Sequence, residues 1–182
     1  MLQQHIRNFT DKVIEALNVG SMEMINLNQD MLTPDFILLG LLAQEDSMIV
    51  EILETAYPHD LEISQKIMER IYSLQRDQPK FKGTAVGHIQ VPKETEVLFK
   101  TAQEQAKLLG DKFIGLEALF LALFEKSLGK IPILLEEMGV TYEKVKSEIE
   151  SLRGGRTINE KGTEGKSDIL EQFTTDLTDL AR

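Results

Sequence analysis

The amino-acid sequence predicts an all-α fold: two pseudo-symmetric four-helix repeats packed together, followed by a flexible linker and a short amphipathic helix. Three observations carry this. Shifted by 82 residues, the chain falls into register with itself without a gap, laying Phe9 to Gln44 over Val91 to Lys126. Within each copy the apolar residues recur at helical spacing. Aromatic residues make up only 6% of the chain and Trp is absent, so the core is built from Leu, Ile, Val, Met and Ala, a mixture that favours helices over sheets.

The register is specific in detail. Ile37-Leu38-Leu39 meets Leu119-Phe120-Leu121, and Ile52-Leu53-Glu54 meets Leu134-Leu135-Glu136. The first helix is expected from Thr10, a good N-cap, to Leu27. The second has the strongest start signal: Thr33 as cap, Pro34 at the first helical position and Asp35 in the first turn, running to Gln44. A third covers 48–56 and stops before Pro58. The fourth runs 61–74 behind the stripe Leu61, Ile63, Ile67 and Ile71. The corresponding helices of the second repeat are expected near 93–109, 116–126, 131–138 and 142–152, with Gly110 and Gly139 where C-terminal caps belong. The intervening Gln75–Val91, with Pro79, Gly83 and Gly87, reads as a connector.

The repeats together form a domain over residues 1–152. Residues 153–168 (RGGRTINEKGTEGKSD) contain four glycines and almost nothing apolar, the composition of a mobile linker. Residues 169–182 read as a short amphipathic segment that begins a following module or folds back to dock.

Composition excludes several classes of function. The chain has 182 residues, 42% hydrophobic and 27% charged, which is ordinary globular composition. A net charge of −10 opposes long-range attraction to nucleic acid or an anionic membrane. The longest apolar run, Phe36 to Ala43, is far short of a membrane span, and since Met1 to Arg7 show no apolar leader run, the Asn8-Phe9-Thr10 sequon is expected to carry no meaning. With no cysteine, disulfides, thiolate zinc sites and cysteine nucleophiles are absent. Gly165-Lys166-Ser167 looks like the end of a phosphate loop, but Glu160 stands where its first glycine belongs and no apolar strand precedes it. The chain is therefore expected to be non-catalytic and free of cofactors and metals, and titration with Mg-ATP should give no heat of binding. His5, His59 and His88 read as exposed loop residues in no metal pattern. Paired carboxylates such as Glu136-Glu137 read as solvated helix surface. Met22, Met24, Met31, Met48, Met68 and Met138 read as core filler, or as the lining of an adaptable groove.

In this order, the segments FTDKVIEAL, LTPDFILLGLL and GDKFIGLEALFLALFE resemble the double-repeat N-terminal domain of the Clp unfoldases, the AAA+ chaperones ClpA, ClpB and ClpC. Leu152-Arg153-Gly154-Gly155-Arg156, Asn159 and Asp176 to Arg182 are most similar to ClpB-type disaggregases, where they join this domain to the first ATPase module. The resemblance covers Thr10 to Arg182. It implies a cytoplasmic docking module that captures unfolded or aggregated client proteins, or an adaptor protein, for a hexameric AAA+ chaperone attached through the C-terminal linker. A stand-alone adaptor or regulatory subunit of a Clp ATPase is the alternative; a small helical hydrolase is a third reading.

Carried over residue by residue, the resemblance places the binding positions on Thr10, Asp111 and Glu117, with Asp35 as the first-repeat partner of Glu117. In ClpC-type domains that acidic pair contacts cationic clients. Phe113 adds an exposed apolar contact, and Asp111 and Glu117 are expected to face solvent on one edge. The local alternative is that Thr10, Asp35 and Glu117 only cap and complement helix starts while Asp111 follows a capping glycine. The chain departs from the ClpB pattern at Thr101, Gln105 and Ala118, where leucines line the family's groove, so the groove is more polar or lies elsewhere.

Overall fold

The computed structural model describes residues 2–83, 89–162 and 164. Among these residues the fold is all-α, with two isolated β-bridges. A short helix α1 (Leu2–Ile6), not foreseen from the sequence, precedes the repeats. Its His5 corrects the exposed-loop reading: Nε2 lies 2.8 Å from Glu96, and the ring contacts Phe9 and Phe99.

Helices α2 (Asp11–Asn26), α3 (Pro34–Ala43), α4 (Met48–Ala56) and α5 (Ile63–Arg76) form the first half. The second comprises α6 (Lys93–Leu108), α7 (Leu116–Ala122), a 3-10 turn at Lys126–Leu128, α8 (Lys130–Glu137) and α9 (Tyr142–Arg153). The starts of α6, α7 and α8 lie 82 residues beyond those of α2, α3 and α4. Thr10 caps α2 as expected, accepting the Val13 N–H at 3.2 Å. Thr33 does not cap α3: its hydroxyl makes no hydrogen bond, and the start rests on Pro34 and the Thr33 carbonyl. Helix α7 is shorter than expected because the backbone leaves the helical region at Glu125.

The first helix of each half ends in the same motif. Asp111 N–H reaches the Ala106 carbonyl around Gly110 at φ 79°, and Gln29 N–H reaches the Met24 carbonyl around Asn28 at φ 56°. Asparagine tolerates the left-handed region, so this stop lies at Asn28, a residue whose signal is weaker than glycine's.

The halves are stitched by a reciprocal crossing. Ile114 N–H donates to the Asn8 carbonyl at 2.7 Å, and 82 residues away Leu32 N–H donates to the Gln90 carbonyl at 2.8 Å. The match breaks where Pro92 occupies the place of Thr10. Thr10 N–H donates to the Ile114 carbonyl at 3.0 Å, whereas proline has no N–H. The Thr95 hydroxyl satisfies the corresponding Leu32 carbonyl instead, at 2.6 Å.

Helices α3 and α7 lie at the centre, with every residue of α7 and all of α3 except Ala43 buried. Packing also crosses between halves, α4 against α9 and α5 against α8. No helix among the described residues is long and apolar enough to cross a membrane. The exposed residues include Met22 and Met31, while Met24 is fully buried, so the methionines divide between surface and core.

Candidate docking site

The turn between α6 and α7 carries Asp111, Phe113 and Glu117. Gly110 turns the chain, the crossing at Ile114 pins it, and Glu117 enters the first turn of α7. Thr10 arrives beside it because the same crossing bonds Asn8 and Thr10 to Ile114.

The carboxylates do not face solvent as expected. The Asp111 side chain is fully buried and that of Glu117 is 8% exposed. Burial is possible because Arg153, the last residue of α9, closes on both. Its Nη1 and Nη2 donate to the two Asp111 oxygens at 2.6 and 2.8 Å, while Nε and Nη2 reach Glu117 Oε1 at 3.1 and 2.8 Å. This is a forked, charge-assisted geometry that only a guanidinium supplies. Burial works against the charge of Arg153, but the bonds to Asp111 and then Glu117 outweigh it and hold its pKa above the ordinary arginine value.

The chain beyond α9 also lies on this face. Residues 154–162, read from composition as the start of a mobile linker, hydrogen-bond to the domain. Ile158 N–H donates to Asp111 Oδ1 at 2.9 Å, Lys112 N–H to the Ile158 carbonyl at 2.8 Å, and Asp11 N–H to the Lys161 carbonyl at 2.9 Å. Phe113 is half-buried rather than exposed, with the ammonium groups of Lys161 and Lys112 at 5.6 and 6.0 Å from its ring centre. Glu164 is buried: it accepts the Thr10 hydroxyl at 2.5 Å and the Leu116 N–H at 2.7 Å. Burial pushes its carboxyl up to about 7, against the lowering effect of those two hydrogen bonds. The rest of the expected linker and the amphipathic segment 169–182 lie outside the described residues, as does His88.

Thr10, Asp111, Phe113 and Glu117 are thus gathered on one face, joined through Arg153 and the segment after it. Asp35 is not part of that network. It is buried at the start of α3, accepts from Gln75 Nε2 at 3.1 Å, and has its pKa raised by burial. The 82-residue register explains the asymmetry. Asp111, Phe113 and Thr10 correspond to Gln29, Met31 and Pro92, and Arg153 corresponds to the buried Ile71, so the first half has no charged cluster of this kind. At the positions that depart from the ClpB pattern, Ala118 is buried, Thr101 bonds the Val97 carbonyl and Gln105 accepts from Tyr142. Among the described residues no group of acidic or histidine side chains is arranged to hold a metal.

Sequence reasoning missed Arg153 and Glu164 as members of this site. Arg153 carried one usable signal, a cation ending a helix beside two glycines. Glu164, among glycines and polar residues, carried none.

Residues 8–132 match the family model described as the Clp repeat (R) N-terminal domain. The chaperone protein ClpB of Vibrio cholerae is 30% identical over 173 residues, 95% of this chain. The chain spans only 20% of the length of that relative. The Hsp104 N-terminal domain from Candida albicans has the same fold at 17% identity and TM-score 0.65, covering 85% of this chain and 97% of that one. The N-terminal domain of the ClpV1 ATPase from E. coli also matches at TM-score 0.65 and 19% identity, covering 88% and 93%.

Proposed function

Because the chain belongs to the Clp repeat N-terminal domain family, we propose that it is a docking domain that presents unfolded or aggregated protein, or an adaptor, to an AAA+ chaperone. In this reading the chain has no catalytic role of its own, and the ATPase hexamer is reached through the segment beyond residue 153. One observation carries the choice of site: a buried acidic pair already holds a guanidinium in forked geometry. Asp111 and Glu117 favour an arginine side chain over a lysine, since an ammonium, with three donors and no planar fork, cannot reproduce the four bonds that the guanidinium makes. A client arginine engages this pair by displacing Arg153, and Phe113 supplies an apolar shoulder beside it. Such charge-assisted bonds contribute roughly 1.5–3 kcal/mol when desolvated.

The test is capture of a fluorescein-labelled unstructured peptide carrying several arginines, read by anisotropy. Asp111→Asn combined with Glu117→Gln keeps side-chain volume and one acceptor oxygen on each residue but removes both charges. This variant should bind at least about fivefold more weakly at a temperature where circular dichroism shows it folded. Phe113→Ala, which leaves the ion pair intact, should weaken capture about two- to threefold through lost apolar contact. Wild-type affinity in both variants excludes this face as the docking site.

A further inference from the structure

The contacts of the segment after α9 suggest more than a passive exit from the domain. Over residues 154–162 and 164 it touches the docking face through three residues. Ile158 pairs with Asp111 and Lys112, Lys161 bonds the start of α2 and stands over Phe113, and Glu164 joins Thr10 to the first residue of α7. Every residue assigned to docking in the second half is therefore in contact with Arg153 or with the segment that follows it. Gly115 belongs to the same fit, since a Cβ there would run into the Glu164 carboxylate and Ile158. Gly154 and Gly155, at φ 58° and 89°, turn the chain back from α9 onto this face.

We propose that residues 154–162, with Glu164 beyond them, form an internal strap that closes over the docking face, that Glu164 is its latch, and that a client gains access when the strap lifts. The gating half of this proposal rests on the docking function proposed above; the latch does not.

The chemistry of the latch sets its behaviour. Thr10 Oγ1 already accepts from Val13 N–H, and the carboxyl sits in a buried notch facing one hydroxyl and one amide. Glu117 of α7 faces it with like charge and Arg153 of α9 with opposite charge. On α2, Asp11 adjoins Thr10 and approaches Gly162. Protonated, Glu164 can donate to the threonine oxygen while its carbonyl accepts from Leu116. A glutamine can do the same, and an alanine cannot. Burial in this notch favours the neutral acid when docked, against the lowering effect of the Thr10 and Leu116 hydrogen bonds, whereas a lifted strap returns the group to water and to its ordinary carboxylate range. The sign follows: the docked carboxyl is raised, so latching is strongest at acidic pH and weakens as pH rises towards about 7.

The experiment is amide hydrogen exchange on the full chain, with peptide capture in parallel. Asp11 and Lys112 are the reporters, because their N–H groups bond the strap carbonyls of Lys161 and Ile158; Ile114, bonded to Asn8, is the control. At pH 5.5, Glu164→Ala should speed exchange at Asp11 and Lys112 at least tenfold and leave Ile114 unchanged, while Glu164→Gln behaves as wild type. In the wild-type chain the same two amides should open several-fold more readily at pH 8 than at pH 5.5, after correction for intrinsic exchange. Glu164→Ala should capture the arginine peptide at least about fivefold more tightly than Glu164→Gln, two variants of equal charge. If Asp11 and Lys112 exchange equally in all three proteins, the latch is wrong. If they open while capture stays at the wild-type level, the strap does not gate the face. If they open and no protein captures peptide, the latch stands and the docking reading fails.

Discussion

Replacing Gly40 with alanine is expected to destabilise the domain by about 2–4 kcal/mol, against the usual gain from this substitution within a helix. Alanine inside a helix is ordinarily about 1 kcal/mol better than glycine. Here that gain is overridden by contact between helices. A Cβ at Gly40 would overlap the Ala16 carbonyl oxygen and come within 2.8 Å of Gly20 N. One at Gly20 would meet the Phe36 carbonyl, its carbon 3.1 Å away. These obstacles are backbone atoms of α2 and α3, and no side chain can swing aside to relieve them. The helices must separate, opening contacts around Phe36, Leu38 and Leu41, which are at most 1% exposed. For a chain of this size the melting temperature should fall by roughly 5–15 °C. The register supplies a control: Gly20 and Gly40 correspond to Ala102 and Ala122, so α6 and α7 are spaced for the methyl groups they carry. Ala122→Gly should cost only about 1–2 kcal/mol, from helix propensity and a small cavity. Equal melting temperatures for Gly40→Ala and wild type would show that the two helices are not in backbone contact.

The same glycines show how far the sequence can be read. Their helices were legible, because helical periodicity and the Thr-Pro-Asp start are local signals, and the 82-residue register lent each half the signals of the other. Their close approach was not, since nothing local separates a contact glycine from a tolerated one. The candidate site divides in a similar way. Thr10, Asp111 and Glu117 were marked by resemblance, and Thr10 also by its capping pattern. Their burial was not legible, because it depends on Arg153, which lies 42 residues beyond Asp111 in the chain. The contacts of residues 154–162 and 164 were not legible for a physical reason. Glycine-rich composition reports a low cost of bending and says nothing about whether the bent chain finds hydrogen-bond partners. Here Asp111, Lys112, Asp11, Thr10 and Leu116 supply them.

Arg153→Ala is expected to have the largest effect of any single polar substitution, a loss of about 3–5 kcal/mol. The guanidinium is the cationic partner that compensates Asp111 and Glu117 for lost water, and removing it leaves two carboxylates buried together. Like charges in a poorly hydrated site repel strongly, and neither group can turn to solvent while the Ile114 crossing fixes the turn. Asp111→Asn added to Arg153→Ala should therefore recover part of the loss, because it removes the repulsion while leaving an acceptor for Ile158 N–H. Independent destabilising changes would add instead. Arg153→Lys should restore only a fraction, since one ammonium cannot fork across both acids. The deficit should persist in about 1 M salt, because a buried pair is poorly screened. Arg70 provides the contrast: it pairs with Glu137 at 3.0 Å, but the two side chains are 47% and 52% exposed. Arg70→Ala should cost less than about 1 kcal/mol, an effect that salt masks. Thermal unfolding of these four variants, at low and high salt, decides the matter. A loss for Arg153→Ala no greater than that for Arg70→Ala would mean that the guanidinium does not hold the acidic pair in the folded domain.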